Sequence, residues 1–121
     1  MNTFYYSKTG KAIVFQNNKH LFTMSGTPVA FIHNGAVFDF HARLLGYWED
    51  GWIRDRSGCA VLFTDNHSGV GPIPPIHEIP PIPAIPAIPP IPPIPPIPPI
   101  PPIPSYSWSS ISAENFFNQM G

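Results

Sequence analysis

A sixteen-residue period runs through the first half of the chain and constrains the fold more than any other feature. Gly10, Gly26, Ala42 and Gly58 stand sixteen apart. Phe15, Phe31, Tyr47 and Phe63 keep the same step, as do Ile13, Val29, Leu45 and Val61, and Tyr5, Leu21, Val37 and Ile53. Three apolar columns in register without an insertion identify four tandem copies of one structural unit. Ser7, Thr23, Asp39 and Asp55 fall three residues before the Gly column. Side chains of that kind bond the backbone two residues on, and a following Gly supplies the left-handed residue of a three-residue hairpin loop. Each unit is therefore strand, short turn, strand. Copy three has Ala42 where the others have Gly, and an alanine at positive φ costs about 1 kcal/mol. That hairpin should be weaker or use another turn.

Asn34-Gly35 and Asp50-Gly51 mark the turns between units, in the chemistry of type I′ turns. The result is an eight-strand antiparallel meander, its four hairpins set round an approximate four-fold axis. In the second strand of each unit the large apolar residues recur at every second place, which predicts one buried face. The three columns Tyr5/Leu21/Val37/Ile53, Ile13/Val29/Leu45/Val61 and Phe15/Phe31/Tyr47/Phe63 would then share one core.

The composition changes abruptly after the repeats. Eighteen of the nineteen prolines lie between Pro72 and Pro104. From Ile73 to Ile103 an isoleucine stands at every third place, and the places between are Pro except at His77, Glu78, Ala84 and Ala87. Proline fixes φ and removes the amide donor, so helix and interior strand are excluded and polyproline II is the natural state. Its three residues per turn put the isoleucines along one edge, and the arm could span on the order of 95 Å. A plain spacer is usually polar, whereas a continuous apolar stripe normally marks an interface. The interaction candidates are therefore Ile79, Ile82, Ile85, Ile88, Ile91, Ile94, Ile97 and Ile100. The tract also has PxxP spacing throughout, but no Lys or Arg to orient it in an aromatic groove. In the final segment Ser112 suits the N-cap of a short helix from Ala113 to about Gln119. Trp108, Phe116 and Phe117 give that segment a sticky side, for docking on a petal in cis or on a neighbouring chain.

The fold class expected is all-β: four tandem 16-residue β-hairpin repeats in a pseudo-four-fold antiparallel meander over residues 1–67. A polyproline II-like (Ile-Pro-Pro) arm follows over 68–104, and a C-terminal aromatic docking segment with a short helix over 105–121. The sequence resembles the four-fold β-flower family of small bacterial proteins. The resemblance rests on Phe31-Ile32-His33-Asn34-Gly35, on the run from Leu45 to Asp55, on Val61-Leu62-Phe63 and on the stretch from Trp108 to Phe117. It implies a fold of hairpin petals and carries over no activity, cofactor or functional residue.

Several function classes are disfavoured. Net charge is −1 and all six Lys and Arg lie at or before Arg56, so no basic face points to nucleic acid or to a polybasic membrane contact. Cys59 is single, which excludes a disulfide framework and cysteine-rich zinc spacing. No signal peptide or transmembrane stretch is evident, so the cytoplasm is the default location, with non-classical secretion an alternative. There is no HxH or HExxH pattern and no recognisable catalytic set, so no enzyme and no cofactor are expected. One weak metal constellation exists. His33, Glu49 and Asp65 share a repeat column with Asn17 and would ring the axis if the petals are close; ordinary turn residues facing water is the simpler account. Trp48 and Trp52 flank an acidic turn and could bind a ligand or pack petal against petal. The functional expectation is a structural or protein-interaction module, acting through self-association or a protein partner. The alternative is a small-ligand- or metal-binding module with its site at the pseudo-axis or next to Trp48 and Trp52.

Overall fold

The computed structural model describes residues 2–119. Eight antiparallel strands close into a barrel in sequence order: β1 (Thr3–Tyr6), β2 (Ala12–Asn17), β3 (His20–Thr23), β4 (Pro28–His33), β5 (Ala36–Phe38), β6 (Leu44–Glu49), β7 (Trp52–Arg54) and β8 (Ala60–Phe63). The pairing Tyr6↔Phe63 between β1 and β8 makes the closure, which removes the exposed sheet edges that an open meander would leave. A short helix, α1 (Ala113–Phe116), follows at the C-terminal end.

The turns follow the sequence closely. Gly10, Gly26 and Gly58 have positive φ, and so do both residues of Asn34-Gly35 and of Asp50-Gly51. Ala42 takes the same conformation at φ 60°, and its amide bonds the Asp39 carbonyl at 3.0 Å, as Gly26 bonds Thr23. The alanine strain is thus accepted rather than avoided. The Asp39 carboxylate offsets it by accepting from the amides of His41 and Arg43 and from the Arg43 Nε at 2.8 Å.

Every petal carries a β-bulge at the same place. Tyr5 faces Val14 while Tyr6 faces Ala12, leaving Ile13 as the extra residue. The same slip occurs between Leu21 and Phe22, Val37 and Phe38, and Ile53 and Arg54, which leaves Val29, Leu45 and Val61 extra. A bulge interrupts strict alternation, and this one corrects the expected core. The lumen is filled by Tyr5, Leu21, Val37 and Ile53 with Val14, Ala30 and Leu62, joined by the bulged Leu45 and Val61. The column Phe15/Phe31/Tyr47/Phe63 belongs to the outer face. There Phe63 clusters with Tyr6 and Trp52, and Phe31 and Tyr47 with Phe38.

An outer face this aromatic needs a cover, and the proline arm supplies it. The Glu78 amide bonds the Gly10 carbonyl at 2.8 Å, Ala87 bonds Gly26 at 2.9 Å, and Ser105 bonds Gly58 at 3.0 Å. The steps are nine residues and then eighteen, so the arm advances nine residues, about 28 Å of polyproline II, for each petal. The residue halfway between Ala87 and Ser105 is Pro96, which has no N–H to give. Ala84 adds a bond to the Met24 carbonyl at 3.0 Å. Three of the four residues that interrupt the Ile-Pro-Pro pattern are thus the ones whose amides pin the arm to the hairpin tips. The arm forms a belt round the barrel. Along Pro80, Pro83, Pro86, Pro89, Pro92, Pro95 and Pro98 every third residue is half-buried, which is the three-residue repeat of polyproline II with one edge turned inward.

Candidate functional site

Three places on this frame carry chemistry: the belt's outer edge, the belt's fastenings, and the barrel's open end. On the outer edge all eleven isoleucines are 91–98 % exposed. Ile79, Ile82, Ile85, Ile88, Ile91, Ile94, Ile97 and Ile100 form an uninterrupted apolar ridge facing away from the barrel. The aromatic residues of the C-terminal segment have gone the other way. Phe116 is fully buried in the lumen, Phe117 stands half-buried against it edge to face, and Trp108 packs on Trp52 and Phe63. Of the two dockings expected for this segment, it takes the one in cis, with these three rings packed against the chain's own barrel and helix. The short β-bridge of Trp108 to Ala60, with Ser109 bonding the Ala60 carbonyl, fixes the segment on the barrel wall. Ser112 caps α1 by accepting from the Asn115 amide, but the helix ends at Phe116 instead of running to Gln119. The Gln119 side chain turns back to the carbonyls of Phe116 and Leu45.

The belt is fastened at both ends over petal four. Arg54 takes the place that Tyr6, Phe22 and Phe38 hold in the other petals, and only 3 % of it is exposed. Its guanidinium donates to the carbonyl of Val70, where the arm departs, and of Ser105, where it returns, and also to that of Gly58. Burial pushes the Arg54 pKa down, and the neighbouring Glu49 and Asp50 carboxylates oppose this. Asp55 anchors the return. Burial alone would raise its carboxyl, but the hydroxyls of Ser109 and Ser57 and the amides of Cys59 and Ser57 outweigh that and hold it below the usual range.

A second fastening lies over petal one. His77 stacks on Tyr6 with ring centroids 3.7 Å apart, and its Nε2 meets Asp65 Oδ1 at 2.5 Å. Glu78 Oε2 accepts from the Ala12 amide at 2.7 Å. The Glu78 carbonyl first, and the Asp65 carboxylate with it, hold the His77 pKa above its ordinary value despite some desolvation. A histidine raised in the folded state stabilises fully below its unfolded pKa, near 6.5, and loses that contribution as pH rises through the folded value. The melting temperatures of wild type and His77→Gln should therefore differ most below about pH 6.5, and the gap should narrow as pH rises above it. A gap that widens with pH would refute the latch.

The metal constellation does not form. His33 pairs across the ladder with Ala36 and Glu49 with Trp52, on the outer face, while Asp65 is engaged by His77. Among the described residues no group of three or more His, Cys, Asp or Glu could hold a metal ion. The column that reaches the axis is one residue earlier: Gln16, Ile32, Trp48 and Thr64. Trp48 and Trp52 likewise do not make one site. Trp48 faces Ile53 and donates its indole N–H to the Tyr5 hydroxyl at 2.9 Å inside the mouth of the barrel. Trp52 lies outside, 1 % exposed, under Gly71 and against Trp108. Burial pushes the Tyr5 phenol up to about 12, against the opposing Trp48 hydrogen bond, so it stays protonated and hydrogen-bonds Gln16. The mouth thus has a preset polar lining beside an indole that is 38 % exposed.

Four equal petals, each bulged at one position and closed into one barrel, are a specific architecture. The family model described as 4-fold beta flower protein matches residues 3–117. The chain belongs to this family. The match runs through the belt as well as the petals and ends beside α1, so the β-flower extends over all the parts described above. No curated protein and no solved structure matches the chain. Among the described residues no helix is long and apolar enough to cross a membrane.

Proposed function

We propose that this β-flower is a structural module that associates with further copies of itself through the isoleucine ridge of its belt. The observation that carries the reading is the outward face of the arm. The prolines seal the barrel and the isoleucines are left to the solvent. Eleven β-branched side chains add nothing to the packing of the barrel in that position, and an apolar surface so continuous is normally an interface. Its spacing favours a second copy. Successive isoleucines are about 9 Å apart along polyproline II, a gap that an isoleucine from an identical ridge can fill. The ridge offers no Lys or Arg to steer it into an aromatic peptide-binding groove. It is also displayed all round the barrel, so contact does not depend on one orientation.

The test is the solution mass by size exclusion with light scattering, across a concentration series. Burying one isoleucine contributes about 1.5–3 kcal/mol, so replacing Ile82, Ile91 and Ile100 together with serine should weaken association by more than about a hundredfold. The melting temperature should hardly move, because those side chains pack on nothing within the chain. A monomeric wild type, or a triple variant that assembles as before, would refute the reading.

A further inference from the structure

The two ends of the barrel differ. Phe116 stoppers the hairpin-tip end, whereas the end formed by the turns between petals opens into a cleft of about 430 Å³. Thr3, Gln16, Trp48, Asp50, Asn66 and Ser68 are among the residues that line it. We propose that this cleft is a carbohydrate site that takes a neutral pyranose ring against the Trp48 indole. The surface is separate from the isoleucine ridge and does not depend on it.

Four features support the assignment. First, the volume suits a small ligand. Second, Trp48 is the one tryptophan left substantially exposed, where Trp52 is buried and Trp108 half-buried. Its exposure is not slack: the N–H is tied to the Tyr5 hydroxyl, which in turn bonds Gln16, and the Gln16 amide bonds the Asn18 carbonyl at 2.8 Å. This chain presets the indole for contact, so little side-chain entropy is lost on binding. Third, the polar groups round the indole are amides, hydroxyls and one carboxylate, Asp50, with no Lys, Arg or His among them. Such a set donates to and accepts from hydroxyl groups and holds no cationic side chain for an anion. Fourth, Asp50 lines the cleft from the Asp50-Gly51 turn, where its backbone is held at φ 51°. An apolar plane with a rim of bidentate acceptors and donors matches a sugar ring, which has an apolar C–H face and an equatorial fringe of hydroxyls.

A quaternary ammonium would need a cage of several exposed rings, and here Tyr5 is buried with its hydroxyl engaged. The site therefore favours the uncharged ligand.

The experiment is a titration of the full chain with N-acetylglucosamine, glucose, galactose and mannose and their β-linked disaccharides, followed by tryptophan fluorescence and calorimetry. Tetramethylammonium chloride is the control. At least one saccharide should shift the emission saturably. Trp48→Ala should abolish both the shift and the heat, and Asp50→Asn, which keeps the turn, should weaken binding about tenfold or more. Asn66→Ala is the second variant should Trp48→Ala fold poorly, and it too should weaken binding. No response to any saccharide overturns the proposal. So does a response that survives both Trp48→Ala and Asp50→Asn, or saturable binding of tetramethylammonium alone.

Discussion

Phe116→Ala is expected to destabilise the protein by about 3–5 kcal/mol, the usual range for removing a fully buried phenylalanine. A domain of this size has on the order of 5–15 kcal/mol in all, so much of its stability would be lost at one residue. Phe116 is completely buried among Leu45, Val61, Leu62 and the rest of the lumen, although it comes from a helix of only four residues. The barrel has made room for it. In the column Val14/Ala30/Gly46/Leu62 the third petal has the glycine, and a Cβ there would come within 2.9 Å of the Phe116 ring as well as meeting the Arg54 carbonyl. Phe116 is the one large side chain that the described part of the segment buries completely, and the short helix has no stability of its own without the contact. Urea unfolding followed by circular dichroism measures the loss. Phe117→Ala, at a half-buried position, should cost clearly less. A Phe116→Ala loss below about 1 kcal/mol would mean that the lumen collapses without its stopper.

Phe116 also shows how far the sequence could be read. The repeat, the turn chemistry and the Ser112 cap are local signals, and the structure has them where those residues stand. The closure of the barrel follows from four equal units with no long connection. The column assignment fails for one physical reason. Strict alternation puts columns 13 and 15 on one face, but the bulge inserts Ile13, Val29, Leu45 and Val61 as extra residues. They turn inward beside column 14, and Phe15 and its equivalents are sent outside. That same shift moves His33, Glu49 and Asp65 off the axis and brings Gln16, Ile32, Trp48 and Thr64 onto it. A hint is present in the sequence. Tyr6, Phe22 and Phe38 are apolar directly after the apolar Tyr5, Leu21 and Val37, so the first strand of the petal has two apolar faces and the sheet must be covered on both sides. The belt is legible as polyproline II but not as a belt. Its register on the petals depends on single amides at Glu78, Ala87 and Ser105, whose spacing of nine and eighteen acquires meaning only against hairpin tips sixteen residues apart.

Arg54→Ala is expected to open the belt while leaving the barrel standing. Tyr6, Phe22 and Phe38 occupy this column elsewhere, so petal four exchanges an aromatic ring for a guanidinium at the one place where the arm both departs and returns. The fork geometry of arginine suits that place, since a planar group with five donors can serve several carbonyls at once, where a lysine ammonium is a single point. Three carbonyls, of Val70, Gly58 and Ser105, receive it. Hydrogen bonds from a charged donor are worth about 1.5–3 kcal/mol each. The Gly58 carbonyl keeps the Ser105 amide as a partner, so the net loss should be on the order of 4 kcal/mol. Arg54→Lys should recover only part of it. The distinguishing measurement is amide hydrogen exchange, because the arm has few amides outside its isoleucines and those of Glu78, Ala84 and Ala87 each report a known contact. Ser105, Ala87 and Glu78 should exchange faster in Arg54→Ala by a hundredfold or so, as expected for about 3 kcal/mol of local opening, while Phe15 and Leu21 in the barrel keep most of their protection. Equal losses at belt and barrel amides would show instead that the two unfold as one unit. The belt would then be part of the cooperative core, held by the inward prolines along its whole length and not by a buckle at petal four.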